Sequence, residues 1–380
     1  MADAKRVFIL GAGFSKPAKM PLATELLPAL CAKQRDSEMR EWLDHLQRRM
    51  DWLSGCDQPT GSFRLNIEEV FHRAQFDIEV HRLRQHKASV GRGDGPGTSS
   101  NVAEAISAWV SYLERDLCDV IFEKDSDADL EPIRRWAKTL GPHDSVLTFN
   151  YDTLVERALT EVGKSWNHGM PKECGEGIAV FKLHGSIDWI VAHRNDAQVS
   201  DASGHDLLFD KQNENRRGKD TGDVEDDCRL WRCRTREQLQ KSILWRDLQG
   251  APIGWPKTVG IAGLGMYKQL HRVPGLVFPW ARGMNQLYNA DLGVVVGFSM
   301  SEFDTMAQMQ FAEVAMKRQE EHRPLSVTVI DRVANETTIE RFRRVFRFVE
   351  FVQSPHEAVD WNTLLPENPS ERIPPTGTIG

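Results

Sequence analysis

Apolar positions in this chain come in two rhythms that alternate from one end to the other. Arg6–Leu10, Ser145–Phe149, Val180–Leu183 and Leu292–Val296 are short, nearly continuous apolar runs. Continuous rather than alternating hydrophobicity is the mark of a strand buried on both faces of a parallel sheet. Leu325–Ile330 and Arg347–Val352 read as two further strands. Between them apolar residues recur at helical spacing. Leu26, Leu27, Leu30, Trp42, Leu43 and Leu46 predict a helix from Leu22 to about Leu53; Val70, Phe71, Ala74 and Ile78 predict another over Ile67–Arg84. Ile106, Trp109, Val110, Leu113 and Leu117 predict a third over Val102–Phe122. Shorter helices are expected from about Thr153 to Val162, from Ser301 to about Glu321, and over Glu336–Val345, with Ser301 and Asp304 at capping-box spacing.

Strands separated by helices predict an α/β fold, a Rossmann-like parallel sheet with helices on both faces. The expected sheet domain comprises 1–30, 140–192 and 270–352. Residues 31–139 form a helical insertion lobe, interrupted by a glycine-rich flexible loop over Lys87–Asn101. Residues 193–269 form a polar, exposed insertion, and 353–380 a proline-rich C-terminal tail.

Composition narrows this little. In 380 residues, 40% are hydrophobic and 27% charged, ordinary values for a globular protein. The net charge of −7 gives no broad attraction to nucleic acid, and no direct sequence-specific nucleic-acid binding is expected. No apolar run approaches the roughly 18 residues of a membrane helix, and Lys5-Arg6 leads into too short an apolar run for a signal peptide. The expectation is a cytoplasmic protein without membrane association. The six cysteines are scattered; reduced structural thiols are the plain reading, and a metal site built on Cys228 and Cys233 with distant histidines is the alternative.

The candidate chemistry sits where the strands end. Gly11-Ala12-Gly13-Phe14-Ser15 follows the first strand and would allow a tight turn with backbone N–H groups near a phosphate. It lacks the third glycine of a dinucleotide fingerprint, since Lys16 stands there. Asn150 and Asp152 flank Tyr151 after the second strand and would serve equally as helix caps or as polar ligands to a ribose, a water or an amide. His184 precedes Gly185-Ser186; it suits proton transfer from a sugar hydroxyl, or a backbone-bonded turn. Gly297-Phe298-Ser299 repeats the glycine-then-hydroxyl pattern, and Asp331 ends another strand. Asp188, Trp189 and Asp304 read as packing or capping residues. Ligands of open α/β sheets bind outside the carboxyl ends of the strands, so these segments are expected to converge.

In combination and order, Gly11-Ala12-Gly13-Phe14-Ser15 with Pro21, Thr148-Phe149-Asn150-Tyr151-Asp152, Leu183-His184-Gly185-Ser186 and Gly297-Phe298-Ser299 resemble the sirtuin-type NAD-binding domain. The resemblance covers the sheet-forming half of the chain. It implies NAD+ as substrate, with Gly11, Ala12, Gly13, Phe14 and Ser15 around its phosphates and Asn150 ordering ribose and water. It places Asp152 at the nicotinamide carboxamide, His184 as base, and Gly297, Ser299 and Asp331 around the adenosine half. Lys19 stands where a glycine is usual, Leu22-Ala23-Thr24 replaces an Asp-Phe-Arg run, and Phe149 and Tyr151 replace Gln and Ile. The four-cysteine zinc module is missing, so no zinc is expected. These departures resemble the bacterial sirtuin-like effectors of phage defence, which hydrolyse NAD+ to nicotinamide and ADP-ribose. That branch implies a homo-oligomer and partners such as a HerA-type ATPase or an Argonaute protein. The alternatives carried with it are an NAD-dependent deacylase or ADP-ribosyltransferase, and a non-catalytic nucleotide-binding subunit of an ATPase or nuclease assembly.

Overall fold

The computed structural model describes residues 4–33, 37–53, 67–91, 99–173, 176–193, 205–210, 228–235, 237–238, 258–262, 273–302, 304–333, 336–355 and 358–361. Seven parallel strands form the main sheet. In chain order they are β1 (Arg6–Leu10), β2 (Ser145–Thr148), β3 (Trp166–Asn167), β4 (Ile178–Lys182), β9 (Leu292–Val296), β10 (Ser326–Asp331) and β11 (Phe348–Gln353). Their spatial order is β11-β10-β9-β1-β2-β4-β3, all parallel. The fold is therefore α/β and Rossmann-like. Successive strands run one way from β1 through β2 and the other way from β9, so the topological switch point lies between β1 and β9.

Side-chain alternation along each strand divides the core in two. Phe8, Leu10, Val146, Val180 and Val294 face one layer, packed with α2 (Ala23–Lys33), α3 (Ser37–Leu53), α4 (Ile67–Gly91), α5 (Ser99–Ser126), α6 (Glu131–Thr139) and α7 (Leu154–Glu161). Val7, Ile9, Leu147, Phe181, Val295 and Val329 face the other, packed with α8 (Val277–Tyr288), α9 (Thr305–Glu320) and α10 (Glu336–Val345). A one-turn helix, α1 (Ala12–Ser15), follows β1 directly. At the opposite end of the sheet Arg6 and Asp144 form a buried ion pair at 2.5 Å.

Several sequence expectations are corrected. The helix expected from Leu22 to Leu53 is two helices, α2 and α3. The loop expected over Lys87–Asn101 is shortened from both sides, because α4 continues to Gly91 and α5 starts at Ser99; 92–98 lie outside the described residues. The exposed insertion contributes to a second sheet, four antiparallel strands in the order β6-β7-β5-β8: β5 (Gly185–His193), β6 (His205–Asp210), β7 (Cys228–Cys233) and β8 (Thr258–Ile261). His205–Asp210 and Cys228–Cys233 pair with one another, so their short apolar runs are strands and not solvated coil. Cys228 and Cys233 stand at opposite ends of β7, their backbones roughly 17 Å apart at an extended rise. They cannot share one tetrahedral metal site, and Cys31, Cys118 and Cys233 are free thiols. The tail from 362 onward lies outside the described residues. Among the described residues no helix is long and apolar enough to cross a membrane.

Candidate active site

The strand ends that carry the candidate residues are neighbours. Each ladder runs one residue past its strand: Gly297 N–H donates to Ile330 O (3.2 Å), Gly11 N–H to Val296 O (3.1 Å), Phe149 N–H to Leu10 O (3.0 Å) and Leu183 N–H to Thr148 O (3.0 Å). The turns after β10, β9, β1, β2 and β4 therefore leave the sheet in a row, and Asp331, Gly297, Gly11, Asn150 and His184 sit at five consecutive positions along its carboxyl edge. Segments separated by long stretches of sequence are brought together by strand order alone.

The glycines are there for close backbone packing. A Cβ on Gly11 would lie 2.6 Å from Gly297 O, and one on Gly13 would lie 2.8 Å from Gly297 Cα. Gly297 itself has φ +59°, and a Cβ there would meet Phe14 N at 2.3 Å. Gly13 N–H donates to Gly297 O at 2.9 Å, clamping the turn after β1 onto the turn after β9. The N–H groups of Gly11 and Gly13 are engaged inside the protein. Phe14 is fully buried, edge-on to Trp136 with ring centroids 4.8 Å apart, and acts in the core. Ala12 and Ser299 are exposed at the edge.

Three polar side chains close over this clamp. Asn150 donates through Nδ2 to Gly11 O (3.0 Å) and to Ser15 Oγ (3.0 Å), and Ser15 Oγ donates to Asp152 Oδ2 (2.8 Å). All three are buried. With its nitrogen so engaged, Asn150 has its carbonyl oxygen left to orient a water or a hydroxyl. Asp152 also accepts from Leu154 N–H through Oδ1 (3.2 Å), in the turn that leads into α7. Burial pushes its pKa up to about 6, against the opposing pull of the Lys182 ammonium.

His184 follows directly. Its carbonyl accepts from Ala262 N–H (2.8 Å), and the preceding Leu183 carbonyl accepts from the Trp280 indole (2.7 Å), so the chain carrying it is held on both sides. Phe149 links it to the glycine clamp: its ring is edge-on to His184 (centroids 5.0 Å) and stacked on Phe298 (4.2 Å, 5°). His184 Nε2 lies 3.5 Å from Asp304 Oδ1, and both side chains are buried. The capping-box reading of Ser301 and Asp304 is corrected here. Asp304 is the N-cap position of α9 but makes no side-chain cap; its carboxylate turns to the histidine. Ser301 Oγ meets Glu68 Oε2 (3.2 Å), which brings α4 of the helical lobe to this edge. The Tyr151 hydroxyl donates to Ala262 O (3.0 Å); burial first, then the Glu68 and Asp304 charges, raise its pKa.

Asp331, at the end of β10, uses Oδ1 to accept Val333 N–H (3.1 Å) in its own turn. It stands beside Gly297 but is not tied to the polar cluster.

Behind Asp152 lies a charged group that sequence reasoning missed. Lys182 is 1% exposed, its ammonium donates to Asp152 O, and it lies 3.3 Å from Glu156 Oε1. His168 bridges the same Glu156 oxygen (3.3 Å) to Glu173 (3.2 Å). Burial opposes charge on all of them. At Glu156 the Lys182 and His168 cations win, holding its pKa down at about 2; at His168 the two carboxylates win and raise it. The available signal was a single lysine in the apolar run Ile178–Leu183.

Neither a protein-family model nor a curated protein sequence matches this chain.

Proposed function

We propose that the protein is an NAD+ glycohydrolase that breaks the nicotinamide–ribose bond to give nicotinamide and ADP-ribose. The observation that carries this reading is the convergence of Ser15, Asn150, Asp152 and the His184–Asp304 pair on one sheet edge beside the switch point. Cleaving that bond builds positive charge on the ribose and needs a held sugar, an oriented water and a nearby base, with no hydride acceptor. Asn150 Oδ1 orients the water, His184 takes a proton from a ribose hydroxyl or from that water, and Asp304 holds the imidazole and balances its charge. Asp152 meets the nicotinamide carboxamide. Ala12 would stand at the phosphates, and Gly297, Ser299 and Asp331 would hold the adenosine half.

The sirtuin-like resemblance adds antiphage defence as the setting, and an oligomer or a HerA-type ATPase or Argonaute partner as the working form. Phe76 and Leu83, seven positions apart on α4, and Trp52 on α3 present large apolar side chains to solvent, which suits protein contacts on the helical lobe.

The assembly purified from its native host, with and without phage challenge, should consume NAD+ and release equimolar nicotinamide. His184→Ala should lower the rate by roughly 10²–10⁴-fold. Nicotinamide release that requires an acylated peptide would move the reading to a deacylase. Stoichiometric NAD+ binding with no release in either state would move it to a non-catalytic subunit.

A further inference from the structure

Both ring nitrogens of His168, the residue that follows β3, are taken up by carboxylates. Nε2 lies 3.3 Å from Glu156 Oε1 on α7, and Nδ1 lies 3.2 Å from Glu173 Oε1, with none of the imidazole exposed. A neutral imidazole carries one N–H and one lone pair, so it can donate to only one of the two. The imidazolium, with two donors, satisfies both. Glu173 cannot simply turn away, because its other oxygen accepts the main-chain N–H groups of His168 (2.7 Å) and Met170 (3.3 Å).

His168 also stands in the middle of a chain of alternating charge. On one side Glu156 Oε1 is shared with Lys182 of β4 (3.3 Å), whose ammonium donates to Asp152 O at the candidate site. On the other side Glu173 meets Arg232 of β7 (3.5 Å), which pairs with Asp206 of β6 (2.7 Å). Asp188 of β5 faces the same cluster; burial raises its pKa, and the His168 and Lys182 charges oppose that rise. The rings of Trp166 and Trp189 close on the imidazole edge-on. The second sheet is thereby tied to the turn that carries Asn150 and Asp152.

We infer that His168 is a protonation-gated clasp: as an imidazolium it holds Glu156 and Glu173 together and leaves Lys182 on the Asp152 carbonyl. On losing a proton it releases one carboxylate, and Glu156, left with Lys182 as its remaining cation, draws that ammonium from the Asp152 carbonyl. Burial works against the charge on His168, but the two carboxylates prevail and raise its pKa above the ordinary 6.5. The stabilisation is therefore complete below 6.5 and is lost as pH rises through the higher folded value. That window is separate from the one set by Asp152. The inference does not rest on NAD+ cleavage.

NMR of the full chain, labelled with heavy nitrogen in the imidazoles and the backbone, tests this, with His168→Gln identifying the ring signals. At about pH 7 both ring nitrogens of His168 should carry protons. As pH rises the ring should titrate, and the Thr153 amide, which shares its peptide group with the Asp152 carbonyl, should shift at the same midpoint. Glu173→Gln supplies a neutral partner whose amide can donate to a deprotonated Nδ1 while its oxygen keeps the two main-chain contacts. It should lower the His168 midpoint by about one pH unit or more and carry the Thr153 shift down with it. Three results would each overturn the proposal: a folded wild-type His168 that is neutral at about pH 7 or still doubly protonated at about pH 10, a Thr153 amide that does not follow it, or an unchanged midpoint in folded Glu173→Gln.

Discussion

His184 Nε2 and Asp304 Oδ1 stand 3.5 Å apart, each side chain almost wholly buried, one at the end of β4 and the other at the start of α9. A carboxylate this close favours the imidazolium through its charge. Asp304→Asn keeps the shape and removes the charge. It should lower the His184 pKa, read by proton NMR of the imidazole, and reduce NAD+ turnover about 10–100-fold with little change in KM. Asp304 faces the imidazole together with the Tyr151 ring, while Glu68 approaches through Ser301; Glu68→Gln should therefore shift the same titration less. An unchanged His184 titration in Asp304→Asn would remove Asp304 from this role whether or not NAD+ is cleaved.

Asp152 predicts a pH dependence of stability. Its pKa is about 6 in the fold against an ordinary value of 3.8, so the folded state holds the proton longer than the unfolded chain. Between those values stability falls as pH rises, and the full cost of the ionised form is present above about pH 6. Asp152→Asn should remove a loss of about 3 kcal/mol across that window. Urea unfolding at closely spaced pH values would show it. Glu156 has the opposite sign: its pKa near 2 lies below the ordinary 4.5, so its contribution is present above about pH 4.5 and lost as pH falls toward 2.

The glycine clamp predicts a steric effect without chemistry. Gly297→Ala places a methyl 2.3 Å from Phe14 N on a residue with positive φ. Both the left-handed conformation and the overlap with main chain oppose it, so a loss of about 3 kcal/mol or more is expected. Calorimetry should show a large drop in Tm; a change within experimental error would contradict the packing described.

Lys182 is expected to be the most sensitive charged position. Lys182→Met leaves Glu156 buried with His168 as its remaining cation and removes the donor to Asp152 O, which should cost about 3–5 kcal/mol. Adding Glu156→Gln removes the stranded charge. The double variant should recover part of that loss, and a double-mutant cycle gives the coupling directly.

These relationships differ in how far they could be read from sequence. β1 and β9 match their predicted runs residue for residue, because strands buried on both faces are apolar almost throughout; Arg6 is the one charged position, and it is paired with Asp144. The convergence of Gly11, Asn150, His184 and Gly297 was also legible, since it follows from strand ends in a parallel sheet. The second sheet was not: His205–Asp210 and Cys228–Cys233 are short, sit among polar residues, and become strands only by pairing with each other and with β5. Asp304 was hidden by its position, as an aspartate before a helix looks like a cap until the fold brings His184 to it. The contact between the turn at Gly11 and Gly13 and the turn at Gly297 was not legible for a related reason. A glycine that admits a ligand and one that admits another backbone look identical until the neighbouring turn is in place.

The most direct measurement is NAD+ turnover in water enriched in heavy oxygen, followed by mass spectrometry of the products. The account predicts equimolar nicotinamide and ADP-ribose bearing a single water-derived oxygen, formed by the wild-type assembly and nearly absent with His184→Ala. Reduced nicotinamide dinucleotide as product, or ADP-ribose formed equally fast by the His184→Ala assembly, would contradict it.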